Sequence, residues 1–408
     1  MSGSPPPPAA RPLQFILDGA LVSIPDPPAT MTVLQYLREV AGRCGTKEGC
    51  AEGDCGACTV VLGEPGAGGA IHYSAINSCI RFLPTLDGRE LVTVESLSGP
   101  DEPAHPVQQA MIDQHASQCG FCTPGFVMSL FGLYLQRPSP DREQVLDALS
   151  GNLCRCTGYR PIIAAGLAMG GYAEPARWSR GDAQSPARRE RLLALAGAPP
   201  LATADGRYSA PRSLDALAAQ YAAAPDSLLL AGGTDIGLWV TQALRELPPL
   251  IWIGEVAELR AIRDDADGLW IGAGVTHTAA WPALLHHFPE LAEQAARFAS
   301  TPIRNSATLC GNLANGSPIG DALPALLALD AVLTLRRGGE QRELPLREFY
   351  LDYRRTALAR GELVTGVRIP PRAPQDLLAS YKISRRQEQD ISAVCATFRV
   401  RLQDGRVT

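Results

Sequence analysis

The chain has 408 residues, which at roughly 150 residues per domain implies two to four domains. Apolar residues make up 46% and charged residues 19%, enough for packed cores and unlike a disordered or fibrous chain. A net charge of −5 leaves no basic excess to neutralise phosphates, so no nucleic-acid partner is expected.

The first residues, MSGSPPPPAARP, lack a charged segment leading into an apolar one. They read as a disordered proline-rich lead-in, not a secretory signal. No stretch reaches the roughly 18 uninterrupted apolar residues of a membrane span. The most apolar, Pro161 to Ala173 and Leu323 to Leu335, are short or broken by Asp330. A soluble, cytoplasmic protein without membrane contact is expected. In a reducing cytosol, the 11 cysteines point to metal ligation rather than disulfides, because they are clustered.

Residues 13–95 read as a small β-rich domain. FILDG and ALVSI form a hairpin around Asp18-Gly19, and Val33, Leu34, Leu37 and Val40 recur at helical spacing. A Gly/Cys-rich loop over 42–58 precedes the strand CTVVLG and, later, the strand LVTVE. Over 104–172 the pattern turns helical, with segments at 106–117, 124–136, 140–149 and 161–172. Thr123-Pro124 and Ser139-Pro140 are expected as N-cap and first-turn pairs, with Gly151 past a helix end. Residues 173–208 lack periodicity and read as a linker, with one short helix at 187–196. From about 210, helix LDALAAQYAA, strands SLLLAGG, IWIG and LWIGAGV, and helix WPALLHHF suggest α/β layering. After Pro370-Pro371, strand ISAVCATFRVRLQDGRV carries an Asp404-Gly405 turn. The returning strand has barely begun at Thr408, so a longer parent chain is expected.

The cysteines form two quartets. Cys50, Cys55, Cys58 and Cys79 follow C-x4-C-x2-C with a distant fourth, the plant-type ferredoxin arrangement for a [2Fe–2S] centre, whose irons leave four positions for thiolates. Gly49, Gly53 and Gly56 let backbone amides turn toward the sulfurs. A structural zinc loop is the competing reading, and Cys44 is a bystander. The second set is Cys119 and Cys122 in QCGFCTPGF with Cys154 and Cys156 in GNLCRCTGYRP. By spacing alone it is compatible with zinc, a redox dithiol or an iron–sulfur centre. Its place at turns between helices, beside an electron centre, favours the last.

LLLAGGTDIG is an apolar strand entering a turn in which Gly232 and Gly233 would let amides approach a pyrophosphate. A turn that needs glycine for geometry alone explains the pair equally well. The nearest approach to G-x-G-x-x-G, at Gly272-Ala-Gly274, lacks its third glycine, so a Rossmann site is not supported. SATLCGNLANGSPIGD, ending at Asp321, suits close dinucleotide contact or is a loop-rich surface turn. No metal-spaced histidine pair is present; His277, His286 and His287 are expected at the surface and in turns.

GTKEGCAEGDCGACTV, NSCI, SQCGFCTPGF and GNLCRCTGYRP resemble the iron–sulfur segment of the xanthine dehydrogenase/oxidase family of molybdenum hydroxylases. LLLAGGTDIG, ARFASTPIRNSATLCGNLANGSPIGDALP and YKISRRQEQDIS are similar to its FAD domain. The resemblance covers about residues 13–400. It implies an α+β multidomain chain: a β-grasp ferredoxin domain (11–97), a four-helix-bundle [2Fe-2S] domain (98–174) and a linker (175–200). An α/β FAD-binding domain of PCMH type (201–371) and the truncated start of a CO dehydrogenase flavoprotein-type C-terminal domain (372–408) follow. Both quartets would hold [2Fe-2S] clusters. FAD contacts would fall on Leu229, Leu230, Ala231, Gly232, Gly233, Thr234, Asp235, Ile236, Phe298, Thr308, Leu309, Cys310, Gly311, Asn312, Asp321, Val364 and Lys382. Phe298 would lie against the isoalloxazine, although a core aromatic is the alternative. Arg385, Arg386 and Asp390 would stand near the flavin or form a solvated turn, and Gln118 would face the pterin.

The resemblance also implies an activity and a setting. A molybdopterin-bearing large subunit, two of each chain in a heterotetramer, would hydroxylate hypoxanthine or xanthine. Electrons would pass through the clusters to FAD and NAD+. No substrate-hydroxylating residue would lie on this chain. Other readings are the same role in an aldehyde or other molybdenum hydroxylase, a free-standing flavin reductase, and a zinc-stabilised interaction protein.

Overall fold

The computed structural model describes residues 10–99, 101–403 and 405–407; most of the proline-rich lead-in and Asp404 of the expected last turn lie outside them. Strands β1 (Leu13–Leu17) and β2 (Ala20–Ile24) pair antiparallel, with Leu17 opposite Ala20. Asp18 and Gly19 between them have φ of 51° and 83°, the left-handed pair that a two-residue hairpin loop needs. The Asp18 carboxylate also accepts from the Thr93 amide and hydroxyl, each at 2.8 Å. Helix α1 (Val33–Gln35) opens on a capping box between Thr32 and Gln35 and widens into a π-helical turn over Tyr36–Val40. Strands β3 (Thr59–Pro65), β4 (Ile71–Asn77) and β5 (Glu90–Val92) complete a sheet of order β2-β1-β5-β3-β4, with β5 parallel to β1.

Four helices follow: α2 (Pro106–Asp113), α3 (Thr123–Gln136), α4 (Arg142–Leu149) and α5 (Arg160–Ala168). They pack as a bundle around α3, which also lies on β3 and β4. Two expected caps shift. Thr123 is already helical, behind Cys122 at the cap, and its hydroxyl pairs with Ser117 at 2.7 Å. The helix after Pro140 is capped by Asp141, whose carboxylate accepts from the Gln144 amide; the better acceptor takes the position.

The stretch read as a linker is folded. Helices α6 (Arg180–Ala183) and α7 (Pro186–Ala196) run across the ferredoxin-like sheet and the bundle. Trp178, Ala183 and Leu192 enter a core shared with Ile16, Val61, Phe126 and Phe131. Arg188 lies 4.0 Å above the Trp178 ring and bonds Glu90 at 2.6 Å. α7 is the short helix expected at 187–196; it anchors through Leu192, while Arg188, Arg189, Glu190 and Arg191 make its first half polar.

Next come β6 (Tyr208–Ser209), α8 (Leu214–Ala223), β7 (Leu228–Leu230), α9 (Ile236–Thr241) and β8 (Leu250–Trp252). Their parallel sheet, β6-β8-β7, is the expected α/β layering. It shares a core with the ferredoxin-like sheet, through Tyr208, Leu250 and Trp252 against Phe15, Leu62 and Phe82.

Strands β9 (Ile262–Asp265) and β10 (Gly268–Gly272) lead to helices α10 (His277–His287), α11 (Ala292–Ala296), α12 (Thr301–Ser306), α13 (Leu309–Asn315) and α14 (Ala322–Ala328). Strands β11 (Val332–Arg337), β12 (Glu340–Pro345), the small pair β13 (Tyr350–Asp352) and β14 (Arg355–Thr356), and β15 (Leu363–Ile369) follow. The larger sheet, β12-β11-β15-β10-β9, is antiparallel throughout. Here the pattern departs from α/β layering. β16 (Asp376–Ile383), β17 (Val394–Gln403) and β18 (Arg406–Val407) form a last sheet that leaves Tyr381, Ile383 and Phe398 exposed. Among the described residues no helix is long and apolar enough to cross a membrane.

Arg89 joins the ferredoxin-like and flavin-side units. Its guanidinium bonds Glu64 at 2.6 Å and Glu255 at 2.7 Å and stacks 4.7 Å from the Trp252 ring. Burial would push the Glu64 carboxyl up, but Arg89, Arg81 and Arg260 outweigh it and hold it down to about 2, against an ordinary 4.5. A depressed carboxyl stabilises the fold above its unfolded value, and that contribution is lost as pH falls from 4.5 toward 2. Chemical denaturation across that window should show Glu64→Gln with a flatter acid dependence than the parent protein.

Candidate iron–sulfur and flavin sites

The first cysteine loop is shaped by backbone that few residues adopt. Ala51, Gly53 and Gly56 have φ of 55°, 83° and 69°. The loop therefore wraps Cys50, and the amides of Glu52, Asp54 and Cys55 donate to its Sγ at 3.5, 3.4 and 3.3 Å. Cys58 and Cys79 are buried, with sulfurs 3.2 Å apart, and the Asn77 amide reaches Cys58 Sγ at 3.9 Å. Hydrogen bonds from the Cys55 and Cys79 thiols pull Cys50 toward the thiolate, and the Glu52 and Cys55 amides add to this. All four expected ligands meet here. Cys44 stands apart and exposed.

The second quartet also assembles. Cys119 interacts with Cys156, and Cys122 with Cys154. Burial and then Cys154 push the Cys122 thiol up to about 12. Burial opposes the thiolate at Cys154 too, but the Thr157 hydroxyl, 3.2 Å away, helps lower it. Tyr159, at φ 67°, accepts the Cys154 amide at 3.0 Å. Gln118 and Cys119 are exposed. Among the described residues no three or more His, Cys, Asp or Glu side chains have single-ion geometry. Two all-sulfur quartets with amides aimed at sulfur fit [2Fe–2S] clusters.

The two loops touch through backbone. The Leu153 amide, next to Cys154, donates to the Cys55 carbonyl at 3.0 Å. A Cβ on Gly56 would stand 2.1 Å from the Gly151 carbonyl oxygen, and one on Gly125 2.1 Å from that of Gly56. Buried Asn152 locks the contact by donating to Gly56 O at 3.1 Å and accepting from Ser129 at 2.6 Å. Neither Asn152 nor Leu153 carries a motif of its own, so only their place before Cys154 could have pointed to them.

On the flavin side, Gly232 meets the turn before α13: a Cβ there would lie 1.8 Å from Ser306 O, and Gly233 has φ 73°. Thr308 caps α13 by accepting the Gly311 amide at 3.0 Å, and Asn312 Oδ1 is buried without a partner. Ala231, Gly232 and Gly233 line a small cleft with Arg81, Phe82 and Trp252. Asp321 receives Lys382 Nζ at 2.5 Å and Ser392 at 2.5 Å. A glycine turn pressed on a second loop, with an orphaned amide oxygen nearby, fits a dinucleotide.

The remaining predicted flavin residues divide by burial. Leu230, Leu309, Cys310 and Val364 point into cores, so their side chains are not free for a ligand; Leu229 packs partly against the core of the last three, and Thr234, Asp235 and Ile236 lead into α9. Phe298 stacks 4.3 Å from the ring of His277 and 5.8 Å from Trp281. His277, expected at the surface, is fully buried, and burial followed by Arg304 pushes it down to about 3. It opens α10 with its amide on Ala307 O, so the strand-to-helix turn carries it inward. Arg386 and Asp390 pair within an exposed turn, its amide donating to the carboxylate at 2.9 Å.

Three family models match the chain in series. They are a 2Fe-2S iron-sulfur cluster binding domain over 15–79, a [2Fe-2S] binding domain over 93–167, and the FAD binding domain in molybdopterin dehydrogenase over 203–372. The chain thus carries two [2Fe-2S] binding domains followed by the FAD-binding domain found in molybdopterin dehydrogenases. Among named proteins it is similar to xanthine dehydrogenases. It is 32% identical to xanthine dehydrogenase of Emericella nidulans over 96% of this chain, and 30% identical to xanthine dehydrogenase/oxidase of Rattus norvegicus over 97%. It spans about a third of the length of each, 33% in both cases. A solved carbon monoxide dehydrogenase chain from Hydrogenophaga pseudoflava is 28% identical, over 50% of this chain and 71% of that one, with a TM-score of 0.46.

Two substitutions separate the sites. Cys58→Ser and Cys154→Ser should each lower bound iron from about four to about two per chain, each removing a different EPR signal. Gly232→Ala should leave iron unchanged while the flavin-to-iron ratio in the visible spectrum falls severalfold, because its Cβ meets Ser306 O at 1.8 Å.

Proposed function

We propose that the chain is the electron-transfer part of a cytoplasmic xanthine dehydrogenase. It carries electrons released by hypoxanthine or xanthine hydroxylation on a molybdopterin-bearing partner toward NAD+, in an assembly of two chains of each kind. Bound clusters supply one-electron carriers, and bound FAD supplies the change from single electrons to a hydride. The observation that carries this reading is the Leu153 to Cys55 hydrogen bond, because it joins the two cysteine loops directly, one residue from Cys154.

The chain's own residues make a continuous route. Exposed Cys119 and Gln118 face outward at one end. Leu153 and Cys55 bridge the quartets, and Leu238 and Ile303 of the flavin side pack on Cys58, Cys79 and Ile80. The turn that would hold FAD leads directly into the helix that carries Leu238. Phe298, supported by buried His277, would shield one side of the isoalloxazine, and Gly232, Gly233, Thr308, Gly311, Asn312, Asp321 and Lys382 would surround the rest of the dinucleotide.

Iron, acid-labile sulfide and flavin analysis should give about four iron and four sulfide per FAD, and anaerobic NADH should bleach both the flavin and the iron–sulfur absorbance. Two iron per FAD would mean that one quartet is misassigned, and a colourless protein with tight zinc would overturn the reading. Loss of purine turnover when a co-purifying molybdenum chain is removed tests the partner.

A further inference from the structure

The flavin-side unit does more than abut the first cysteine loop. At the end of α9, Thr241 Oγ1 donates to the Ala51 carbonyl at 2.6 Å, and Gln242 Nε2 donates to the Cys50 carbonyl at 2.7 Å. Nearly two hundred residues of sequence separate each pair. These are the two carbonyls at the start of the C-x4-C loop. We propose that Thr241 and Gln242 are positioning residues of the ferredoxin-type cluster, through which the flavin unit sets that cluster's reduction potential. The proposal rests on the reading that the first quartet holds a [2Fe–2S] centre next to FAD.

The physical link is the planarity of the peptide group. In a trans peptide the carbonyl and the following N–H point in opposite directions. Holding the Ala51 carbonyl toward Thr241 therefore turns the Glu52 N–H the other way, where it donates to Cys50 Sγ at 3.5 Å. Holding the Cys50 carbonyl toward Gln242 likewise turns the Ala51 N–H away from Gln242. Ala51 itself sits at φ 55°, a left-handed conformation that a non-glycine residue keeps only when its surroundings hold it.

The same helix grips the other end of the site. A Cβ on Gly237 would come within 2.5 Å of the carbonyl oxygen of Ile80, the residue after Cys79. Leu238 packs beside Cys58 and Cys79. α9 thus holds both sides of the sulfur pocket, and the turn at Gly232 and Gly233 stands just before it. Amide donors to ligand sulfur favour the reduced, more negative cluster, so loosening them lowers its potential.

The test is EPR-monitored potentiometry on the holoenzyme, comparing the parent with Thr241→Val, the Thr241→Val/Gln242→Leu pair, and Thr241→Ser. The cluster is identified as the one whose signal disappears in Cys58→Ser. In the pair its reduced-to-oxidised ratio at a fixed ambient potential should fall about tenfold, which is about 59 mV for one electron. Thr241→Val alone should give a smaller shift of the same sign, and Thr241→Ser should match the parent. The second cluster should not move. Selective loss of the first cluster from the pair, with Thr241→Val shifted negative, also supports the assignment. An unchanged or more positive potential in Thr241→Val with full iron would overturn it, as would equal shifts of both clusters. If Cys58→Ser removed no signal, the reading of the quartet would fail instead.

Discussion

Three glycines, Gly56, Gly125 and Gly151, bring two iron–sulfur loops into backbone contact, and Asn152 closes the junction with bonds to Gly56 and Ser129. A side chain at Gly56 or Gly125 would push the loops apart, and one at Gly151 would meet Ser300 and Pro302 of the flavin side. The Leu153 to Cys55 hydrogen bond exists because nothing intervenes. Electron transfer weakens steeply with separation, so the absence of side chains at these positions is the constraint on which the arrangement of quartets depends. The helix start at Cys122 follows from it, since Gly125 in the first turn of α3 lies against Gly56.

The flavin side is tied to this junction from several directions. Arg89 reaches Glu255 and Trp252, Arg304 pairs with Asp147 across to α4, and Thr241 and Gln242 hold the first cysteine loop. Thr301 adds a bond from its hydroxyl to the Asp147 carbonyl at 2.7 Å. These links are ion pairs to carboxylates and hydroxyl or amide groups donating to carbonyls. Such bonds depend on direction, and they set orientation where the shared apolar core around Tyr208 and Phe82 sets only proximity.

Much of this was legible where the signal is local. The Asp18-Gly19 turn needs two left-handed residues, and the first quartet announces itself by spacing, whereas the second is ambiguous by spacing and takes its meaning from its place between helices beside the first. β4 escaped notice because it is buried on nearly every residue and shows no alternation, and its Ser, Ala and Asn are weak strand formers. The antiparallel flavin-side sheet was read as layered α/β because strand direction is set by partners far away in sequence. His277 was placed at the surface on residue type alone, whereas its burial comes from packing against Phe298 and Trp281. Thr241 and Gln242 had no signal, since their meaning lies in carbonyls almost two hundred residues earlier.

The strap of α6 and α7 bears on how the protein comes apart. Trp178 sits at a seam, its indole donating to Ser96 O at 3.1 Å, its ring under Arg188, and its neighbours drawn from both the sheet and the bundle. Two units that share one core and one strap have no internal surface along which to separate, so they unfold as a single cooperative block. The large flavin-side core, built around Ile271, Leu333 and Val367, is distinct. Separate opening therefore belongs to the part of the flavin side built on that core, since its β6-β8-β7 sheet shares a core with the ferredoxin-like sheet, and the sulfur-bearing half keeps its two centres together for as long as it stays folded.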